Sequence, residues 1–381
     1  VAASLMQASS FSSESQPRVL VATPPGVDFI ASLFGCFLAG AVAVPIHPPT
    51  ESTRHQRKVR GERWDKLLAD ANPSLVLTDA PSQERVQKLL SRNVPLMTTN
   101  CTSEILAMSN SGPETEGSVS DRRPGSEPRS PGIDSECLDG DGPGKIAFLQ
   151  YTSGSTGDPK GVIVTHDNLS HNLEQIRRRF RHDETSRGVI WLPPYHDMGL
   201  IGGILQPIFA GFPVLLMDPA SFIRNPFRWL EAISRFRGTT SGGPSFAYEY
   251  AVRRISKQRI EDLDLSCWSV AFVGAEAVRA SSLNRFAKTF ECCGFSKSSF
   301  LPCYGLAEAT LMVSGDRISD LRTVAISDDP VSTEAPGHQI EGGSPSANSK
   351  KNLVDLVPNG APVDDLDIRI VDPETRRECP R

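Results

Sequence analysis

The chain has 381 residues, of which 22% are charged and 39% are hydrophobic, and 40 Lys and Arg face 45 Asp and Glu for a formal net charge of -5. This length predicts roughly two to three domains of about 150 residues, and the composition excludes a disordered or collagen-like chain. The mild acidity, without a lysine-rich arm, excludes sequence-independent nucleic-acid binding, because such binding needs an excess of positive charge.

The N-terminal part predicts an α/β unit. A β-branched run from Arg18 to Ala22, a helix from about Val27 to Ala39 and a run from Ala41 to Val44 form a strand, helix, strand sequence. The helix-permissive segment from Trp64 to Ala71 then precedes a strand candidate from Ser74 to Thr78. We assign residues 1–109 to a first α/β subdomain.

The composition changes abruptly between Asn110 and Gly144, where Ser, Gly, Pro and charged residues leave almost no apolar side chains. Such a segment cannot bury enough apolar surface to offset the entropy lost on ordering. We therefore predict a disordered insertion over residues 110–144, and we place a domain boundary there.

Strands and helices alternate again from Lys145 onward. Thr165 is the predicted N-cap of a helix with apolar residues at helical spacing, and Asn225-Pro226 predicts the start of another helix. The predicted strands are Lys145 to Tyr151, Gly188 to Leu192, Val214 to Met217, Val270 to Val273 and Phe300 to Pro302. The alternation predicts a doubly wound sheet-and-helix subdomain over residues 145–315, with ligands at the carboxyl ends of its strands.

Residues 316–381 are polar and irregular until Asp365 to Val371, where apolar and polar residues alternate. Alternation with a period of two is typical of a half-buried strand. We assign these residues to a polar insertion followed by the start of a smaller β-rich subdomain.

Two apolar stretches, Phe29 to Ile46 and Met198 to Met217, approach the roughly 20 residues that cross a bilayer. The first ends in the β-forming sequence Ala-Val-Ala-Val-Pro, and the second contains several Gly and Pro residues. We interpret each as a buried helix, a turn and a buried strand, and we predict no transmembrane segment.

Eight cysteines are scattered along the chain without a CxxC motif or paired metal-ligand spacing. They predict mostly buried, reduced thiols in a cytoplasmic protein. The chain begins at Val1 and stops at Arg381 without a segment that marks a native terminus. We therefore expect a fragment of a longer protein.

The segment from Tyr151 to Gly161 follows a predicted strand and precedes a predicted helix; it reads Tyr-Thr-Ser-Gly-Ser-Thr-Gly-Asp-Pro-Lys-Gly. Hydroxyl groups, glycines that allow close backbone approach and one lysine predict a phosphate-binding loop. The segment lacks both the GxxxxGK spacing of a Walker loop and the GxGxxG dinucleotide fingerprint. On these residues alone, a flexible Gly/Ser loop is the alternative.

This loop resembles the signature of the acyl-adenylate-forming superfamily, which includes acyl-CoA synthetases, luciferases and the adenylation domains of nonribosomal peptide synthetases. Three further segments follow in the superfamily's order: Trp191-Leu-Pro-Pro-Tyr-His-Asp-Met-Gly-Leu200, Gly274-Ala-Glu276 and Tyr304-Gly-Leu-Ala-Glu-Ala-Thr310. Together with Ser241-Gly-Gly-Pro-Ser-Phe-Ala-Tyr248, they resemble the fatty acyl-AMP ligase branch more than the coenzyme-A-dependent branch. The resemblance covers nearly the whole chain apart from the polar insertion, although Ser245 stands where the branch commonly has Asn.

The resemblance implies a role for each matching residue, with catalytic roles for His196, Lys160 and Glu308. Glu308 would coordinate Mg²⁺, since a hard carboxylate suits this ion, and His196 would lie beside the reacting carboxylate and the α-phosphate. The adenine pocket would consist of Gly274, Ala275, Glu276, Tyr304 and Gly305. The β- and γ-phosphates of ATP would be held by Lys160 with Thr152, Ser153, Gly154, Ser155, Thr156 and Gly157.

The fatty acid is expected to enter between a helix that begins near Met198 and the segment from Gly242 to Tyr250. Small residues would leave room there, and large apolar residues would provide a wall. Core packing would explain the same pattern equally well. The predicted acyl-binding residues are Ile201, Gly202, Ile204, Gly242, Gly243, Phe246 and Tyr248.

The implied reaction is the ATP- and Mg²⁺-dependent activation of a medium- or long-chain fatty acid to an acyl-adenylate, with release of pyrophosphate. The acyl group would pass to the phosphopantetheine thiol of an acyl carrier protein or a fused carrier domain. Two alternatives stay open: a long-chain acyl-CoA synthetase, and a non-catalytic module that binds nucleotide or acyl chain.

The resemblance also implies a fold of two doubly wound subdomains and the start of a β-rich one, without the small C-terminal lid and with a truncated first subdomain. We expect this large body to be a monomer or a module of a larger polypeptide, with impaired turnover on its own.

Overall fold

The structure is a computed structural model, and it describes residues 1–6, 16–49, 64–90, 94–101, 144–152, 159–317, 324–327 and 353–379. The chain divides into two compact units. The first unit comprises Val1–Glu174 and Leu192–Phe209, and the second comprises Gln175–Trp191 and Ala210–Arg381. The predicted insertion over residues 110–144 lies outside the described residues except for Gly144.

The first unit contains a six-stranded sheet in the order β4-β3-β1-β2-β5-β6. Five strands are parallel, and β6 runs antiparallel to β5 at the edge. The strands are Arg18–Val21 (β1), Val42–Pro45 (β2), Leu75–Asp79 (β3), Leu96–Thr99 (β4), Ile146–Thr152 (β5) and Lys160–Thr165 (β6). Nearly all residues of β1, β2 and β3 are buried, as in parallel sheets that are covered on both faces.

The helices of the first unit connect these strands. Val27–Leu38 lies between β1 and β2, as predicted, and residues 64–71 precede β3. Two shorter helices are Ala2–Met6 and Gln83–Gln87. The alternation of buried strands with helices therefore confirms the predicted α/β arrangement of this part of the chain.

The first sheet continues past Lys145, where the sequence predicted the start of a second subdomain. Ala43 in β2 pairs with Phe148 in β5. The Gln16 side chain also bonds both the amide and the carbonyl of Ile146, over 3.1 and 3.3 Å. Pairing between strands so distant in sequence leaves no local signal, so β5 and β6 could not be assigned to this sheet in advance.

The helix His166–Phe180 follows β6 and begins with a reciprocal cap. The Thr165 hydroxyl oxygen accepts a hydrogen bond from the amide of Asn168 over 3.1 Å, and the Asn168 side-chain oxygen accepts one from the Thr165 amide over 3.1 Å. This arrangement satisfies two amides at the helix start. It confirms the predicted N-cap.

The second unit contains another six-stranded sheet, in the order β12-β11-β10-β9-β7-β8. Its strands are parallel except for β12, which runs antiparallel to β11 at the edge. The strands are Gly188–Ile190 (β7), Val214–Leu216 (β8), Thr240–Gly243 (β9), Val270–Val273 (β10), Phe300–Gly305 (β11) and Met312–Gly315 (β12). Each of the two large sheets therefore ends in an antiparallel hairpin.

Helices connect the strands of the second unit, and their bounds are Pro219–Arg224, Phe227–Phe236, Ser245–Arg254, Lys257–Ile260 and Ala280–Phe290. The helix predicted to begin at Asn225-Pro226 is present, but Pro226 rather than Asn225 is its N-cap. The aromatic side chains of this unit form its core, in which Trp229, Trp268 and Tyr248 are almost completely buried.

The C-terminal residues form only a small amount of sheet. Val324–Ser327 (β13) and Leu353–Leu356 (β14) pair antiparallel. The strand predicted from Asp365 to Val371 is wrong: residues 365–371 have no strand, and Val371 makes a single bridge to Glu378. The alternating apolar residues Leu366, Ile368 and Ile370 are exposed, and pairing is limited to the end of the segment, where the Ile370 carbonyl accepts from the Cys379 amide over 2.8 Å.

The two apolar stretches form helices followed by strands, as predicted, but the strand of the second stretch, β8, is half-buried rather than buried. The first is the helix Val27–Leu38 followed by β2. The second contains a π-helix, Met198–Leu205, the short helix Gln206–Ala210 and then β8. None of the helices in the part of the chain that the structure describes has the length and apolar character that a membrane crossing requires.

His182 is a buried histidine at the end of the helix His166–Phe180. Its Nε2 atom lies 3.1 Å from the Thr240 hydroxyl oxygen, and its ring packs against Phe180 and Phe212. Burial lowers the pKa of His182 from 6.5 to about 4; the charge of Asp183 opposes this change, and the charge of Arg317 adds to it. The folded protein therefore holds this imidazole neutral near pH 6.

We expect the free energy of unfolding to fall as the pH drops from 6.5 to about 4. In this window the unfolded chain binds a proton that the folded chain excludes, so the slope reaches up to about 1.4 kcal/mol per pH unit. Urea unfolding of the wild type and of His182→Gln at several pH values measures the slope. Equal slopes for the two proteins would contradict this assignment.

Candidate active site

The predicted phosphate-binding loop connects β5 to β6 in the first unit. Thr152, the last residue of β5, pairs with Lys160, the first residue of β6. Thr152 is half-buried and Lys160 is exposed, whereas Ser153, Gly154, Ser155, Thr156 and Gly157 lie outside the described residues. β6 was not predicted: the loop precedes a strand, and the helix begins only at His166, with its first amides capped by Thr165 and Asn168.

His196 lies in a tight turn before the π-helix of the first unit. Its amide donates to the Pro193 carbonyl over 3.2 Å, and its carbonyl accepts from the Leu200 amide over 2.8 Å. A Cβ atom at Gly199 would lie 2.0 Å from the Pro193 carbonyl oxygen, so only glycine permits this turn. The Asp197 carboxylate accepts from the Met198 amide over 2.7 Å and caps the π-helix. The turn holds the exposed His196 side chain on a fixed backbone.

A cavity of about 350 Å³ in the first unit adjoins this turn. It lies at the carboxyl end of β2, where ligands of open α/β sheets commonly bind. The Tyr195 ring lies 4.7 Å from the His47 ring and 5.1 Å from the His196 ring. The lining residues are Pro45, Ile46, His47, Pro48, Pro49, Trp64, Leu67, Leu89, Tyr151, Tyr195 and His196. This cavity was not predicted, although the Pro48-Pro49 pair shortly after β2 indicated a strand end.

Tyr151 places a fixed hydroxyl group at the wall of this cavity. Its hydroxyl donates to the Asp70 carboxylate over 2.5 Å. Burial, and secondly the hydrogen bond with Asp70, raise the pKa of Tyr151. The phenol therefore stays protonated. It holds β5 against the helix at residues 64–71, just before the predicted phosphate-binding loop.

The predicted adenine-binding residues come together at the carboxyl ends of β10 and β11 in the second unit. Val273 pairs with Pro302, and Gly274 continues beside Cys303. A Cβ atom at Gly274 would lie 2.5 Å from the Cys303 carbonyl oxygen, so glycine is required for this close approach. Tyr304 follows at the strand end with 49% of its surface exposed. An aromatic face is thus available to a ligand beside the segment Gly274-Ala275-Glu276.

Glu308 occupies the turn of the β11–β12 hairpin. The turn is closed by hydrogen bonds from the Leu306 amide to the Leu311 carbonyl, over 3.0 Å, and from the Thr310 amide to the Ala307 carbonyl, over 2.9 Å. A Cβ atom at Gly305 would lie 1.9 Å from the Leu311 carbonyl oxygen. The hairpin therefore needs glycine directly after Tyr304, and it projects the exposed Glu308 carboxylate from a rigid turn.

Two backbone outliers lie in these segments. Ala275 has φ 65° and Thr310 has φ 69°. A positive φ is costly for a residue with a side chain, and most of all for a β-branched residue such as Thr310. Strain of this kind persists where the surrounding structure enforces it and is concentrated at functional sites. Both outliers thus support a functional role for the segments on which they lie.

The predicted acyl-binding residues divide between the two units. In the first unit, Ile201 and Ile204 are buried in the π-helix and Gly202 is half-buried. In the second unit, Gly243 is buried and the Cβ position of Gly242 is filled by the Phe272 carbonyl at 2.0 Å. No strand was predicted here. The pairing of β9 with β10 is sufficient to require glycine at position 242.

Phe246 and Tyr248 lie in different environments on the helix Ser245–Arg254. Phe246 is 46% exposed, and its amide donates to the Glu276 carboxylate over 2.8 Å. This bond brings a predicted acyl-binding residue next to the predicted adenine pocket. Tyr248 is completely buried and donates to the Phe272 carbonyl over 2.8 Å. Its position is explained by the aromatic core, so its contact with an acyl chain stays a prediction.

Two polar atoms near Phe246 are buried without a hydrogen-bond partner among the described residues. They are the Trp191 indole nitrogen and the Ser245 hydroxyl oxygen. The Trp191 ring stacks on Phe222 at 3.9 Å and meets the edge of Phe246 at 6.3 Å. Since buried polar groups in native proteins are nearly always paired, these atoms have capacity to bond a ligand or water.

The residues fit the way in which proteins usually bind Mg²⁺ together with a nucleotide. Mg²⁺ keeps several waters and binds one or two carboxylates together with substrate phosphates, rather than a full protein cage. Among the described residues, no group of three or more His, Cys, Asp or Glu is arranged as such a cage. The exposed carboxylate of Glu308 suits binding of Mg²⁺ by one carboxylate together with substrate phosphates.

Comparison with known proteins identifies the relatives of this chain. A family model described as AMP-binding enzyme matches residues 1–381. The medium-chain-fatty-acid–[acyl-carrier-protein] ligase JamA of Moorena producens is 37% identical over 367 residues, and the putative fatty-acid–CoA ligase FadD21 of Mycobacterium tuberculosis is 35% identical over 377 residues. Each alignment covers 95% of this chain, and the chain spans 57% of the length of each relative.

The same relationship is visible in three dimensions. The crystal structure of a fatty acyl-adenylate ligase from L. pneumophila, in complex with acyl adenylate and pyrophosphate, superimposes with a TM-score of 0.74. It is 36% identical to this chain and covers 100% of it, whereas the chain covers 59% of that protein. The expected acyl-adenylate-forming fold, in its large N-terminal body, is confirmed. The chain belongs to the AMP-binding enzyme family.

Proposed function

We propose that the protein activates a medium- or long-chain fatty acid as an acyl-adenylate and releases pyrophosphate. One observation carries this proposal: the chain is 36% identical, across its whole length, to a ligase whose structure holds acyl adenylate and pyrophosphate. The strand ends of the second unit support it, because an exposed aromatic ring, a close-packed glycine turn and an exposed carboxylate lie on adjacent strands.

In this proposal the second unit binds the nucleotide base and the acyl chain. Tyr304 would stack on the adenine, and Gly274, Ala275, Glu276 and Gly305 would form the rest of its pocket. Phe246 would contact the acyl chain, because it is exposed and its amide is held by Glu276. The proposed acyl-binding surface around Phe246 would be supported from within the sheet and the core by Gly242, Gly243 and Tyr248.

The first unit would supply the groups that act on the phosphates. Lys160 and Thr152 stand at the two ends of the loop that contains Ser153, Gly154, Ser155, Thr156 and Gly157. The lysine would offset the charge of the β- and γ-phosphates, and backbone amides and hydroxyls would donate hydrogen bonds to their oxygens. His196 would donate a hydrogen bond to charge that develops at the α-phosphate. Ile201, Gly202 and Ile204 lie in the π-helix after His196 and would support its position.

The reaction transfers an adenylyl group to the carboxylate. A carboxylate oxygen of the fatty acid attacks the α-phosphorus, and the bond from this phosphorus to the oxygen that bridges to the β-phosphate breaks. Pyrophosphate leaves with the bonding electron pair. Glu308 would hold Mg²⁺, which supplies charge neutralisation on the phosphates when it is bound. The chain contributes orientation and charge stabilisation, without a covalent nucleophile.

We further propose that the acyl group passes to the phosphopantetheine thiol of an acyl carrier protein or a fused carrier domain. The thiol sulfur attacks the acyl carbonyl carbon, and AMP leaves. The name of JamA supports this acceptor, whereas the name of FadD21 favours coenzyme A. The described cysteines are free, which supports a reducing compartment such as the cytoplasm as the place of reaction.

Binding of a non-hydrolysable acyl sulfamoyl adenosine tests this function on the chain itself. We expect a one-to-one complex in calorimetry, and weaker binding when Tyr304 is replaced by Ala. With the full-length protein, ATP, a fatty acid and either holo acyl carrier protein or coenzyme A then distinguish the acceptors. Accumulation of acyl-CoA would overturn the carrier-protein assignment, and absence of analogue binding would overturn the adenylation function.

A further inference from the structure

A second cavity lies in the second unit, and none of the predicted nucleotide- or acyl-binding residues lines it. It has a volume of about 400 Å³ and lies at the C-terminal end of the helix His166–Phe180. This volume is near the lower end of the roughly 300 to 1,000 Å³ of small-molecule sites. The lining residues are Gln175, Arg178, Arg179, Arg181, Asp316, Arg317 and Asp364.

The charge of Arg179 in this cavity is balanced by acidic residues. Its guanidinium donates to the Asp316 carboxylate over 2.7 Å and lies 3.9 Å from the Asp364 carboxylate. It also donates to the Pro362 carbonyl over 2.7 Å. Both acidic residues of the lining are therefore already committed to Arg179.

Arg181 and Arg317 carry positive charge without an ion-pair partner among the described residues. Burial, and secondly the charge of Arg181, lower the pKa of Arg317. A guanidinium nevertheless stays protonated at neutral pH. The two side chains therefore repel each other across a cavity in a protein whose net charge is negative.

Capping of the helix does not account for this surplus charge. Basic residues near a helix C-terminus interact favourably with its partial charge of about −0.5. The Arg317 guanidinium donates to the Phe180 carbonyl over 3.4 Å and serves this purpose. Two guanidinium groups carry about four times that partial charge, so capping leaves most of their charge available to an anion.

We propose that this cavity, bounded by Arg181 and Arg317, binds a phosphate dianion, either free or as the phosphate of a small phosphomonoester. Guanidinium groups match phosphate oxygens through paired, charge-assisted hydrogen bonds. Arg178 and Gln175 line the same cavity. None of the lining residues takes part in the proposed reaction.

Calorimetric titration with inorganic phosphate, and separately with glycerol 3-phosphate, tests this site on the complete chain at constant ionic strength. We expect saturable binding that weakens at least tenfold in Arg181→Gln and in Arg317→Gln, because each loses a charge-assisted donor. Arg235→Gln is the matched control, since the exposed Arg235 side chain pairs with Glu231 on a helix of the same unit and does not line the cavity. Binding of glycerol 3-phosphate alone would identify a phosphomonoester as the ligand.

A parallel titration of Lys160→Gln separates this proposal from the proposed function. We expect this variant to bind phosphate at the arginine cavity as the wild type does. Phosphate binding that is lost in Lys160→Gln but kept in both arginine variants would overturn the proposal, as would failure of the wild type to bind either ligand. Thermal unfolding of both arginine variants verifies that they are folded.

Discussion

Replacing Glu308 by Ala is expected to lower fatty-acid-dependent exchange between ATP and pyrophosphate by about 10²- to 10³-fold in the full-length protein. The proposed role of this carboxylate is to hold Mg²⁺ against the phosphates. Loss of one group that stabilises developing charge typically has this effect on the rate. The measurement is the incorporation of labelled pyrophosphate into ATP at saturating fatty acid.

The stability of Glu308→Ala should stay close to that of the wild type. Glu308 is exposed and has no described side-chain partner, and such substitutions usually change the unfolding free energy by no more than about 0.5 kcal/mol. Glu291→Ala, in an exposed position of the same unit, is the matched control and should keep full exchange activity. An unchanged exchange rate in Glu308→Ala would refute the proposed Mg²⁺ role.

Short apolar runs of the sequence were sufficient to predict most of the parallel strands. β1, β2, β3, β5, β7, β8, β10 and β11 all lie where such runs occur. β9 was missed because Thr-Ser-Gly-Gly has little intrinsic strand preference. Its conformation comes instead from pairing with β10 and from the Phe272 carbonyl that fills the Cβ position of Gly242. Tertiary contacts of this kind have no local sequence signal.

Local sequence was also insufficient to predict the antiparallel edge strands and part of the candidate active site. The motif residues predicted that Tyr304 and Gly274 would share a site, and the pairing of β10 with β11 brings their strand ends together. The loop before Lys160 was expected to lead into a helix, but the Val-Ile-Val run after Lys160 pairs with β5. Conversely, the alternating residues 365–371 lack a strand, because a period of two forms a strand only when a partner is present.

The strained backbone conformation at Thr310 also could not be predicted from the sequence. Nothing in the sequence indicates that Thr310 adopts φ 69°, since β-branched residues avoid this region. The conformation follows from closure of the hairpin around Gly305, where the Leu311 carbonyl occupies the space of a side chain. The predicted metal-binding residue Glu308 thus stands in a turn whose shape is imposed by its neighbours, which explains how one exposed carboxylate can be held in place.

Replacing Trp229 by Ala is expected to lower the free energy of unfolding of the second unit by about 3 to 5 kcal/mol. Trp229 is completely buried, and its ring meets those of Trp268 and Tyr248 at 5.3 and 5.5 Å. Its indole nitrogen donates to the Ser241 hydroxyl over 2.8 Å. The substitution therefore leaves a large cavity and also removes a bond to β9. Urea unfolding followed by far-ultraviolet circular dichroism measures the loss.

Phe246→Ala is the matched comparison, because it removes an aromatic ring of the same unit that is 46% exposed. Its cost in unfolding free energy should be much smaller, since little apolar surface returns to water. In the proposed function it should nevertheless weaken binding of the acyl sulfamoyl adenosine, whereas any effect of Trp229→Ala on binding should follow the fraction of unfolded protein. A loss of stability below about 1 kcal/mol in Trp229→Ala would show that the aromatic cluster is not the core that supports β9.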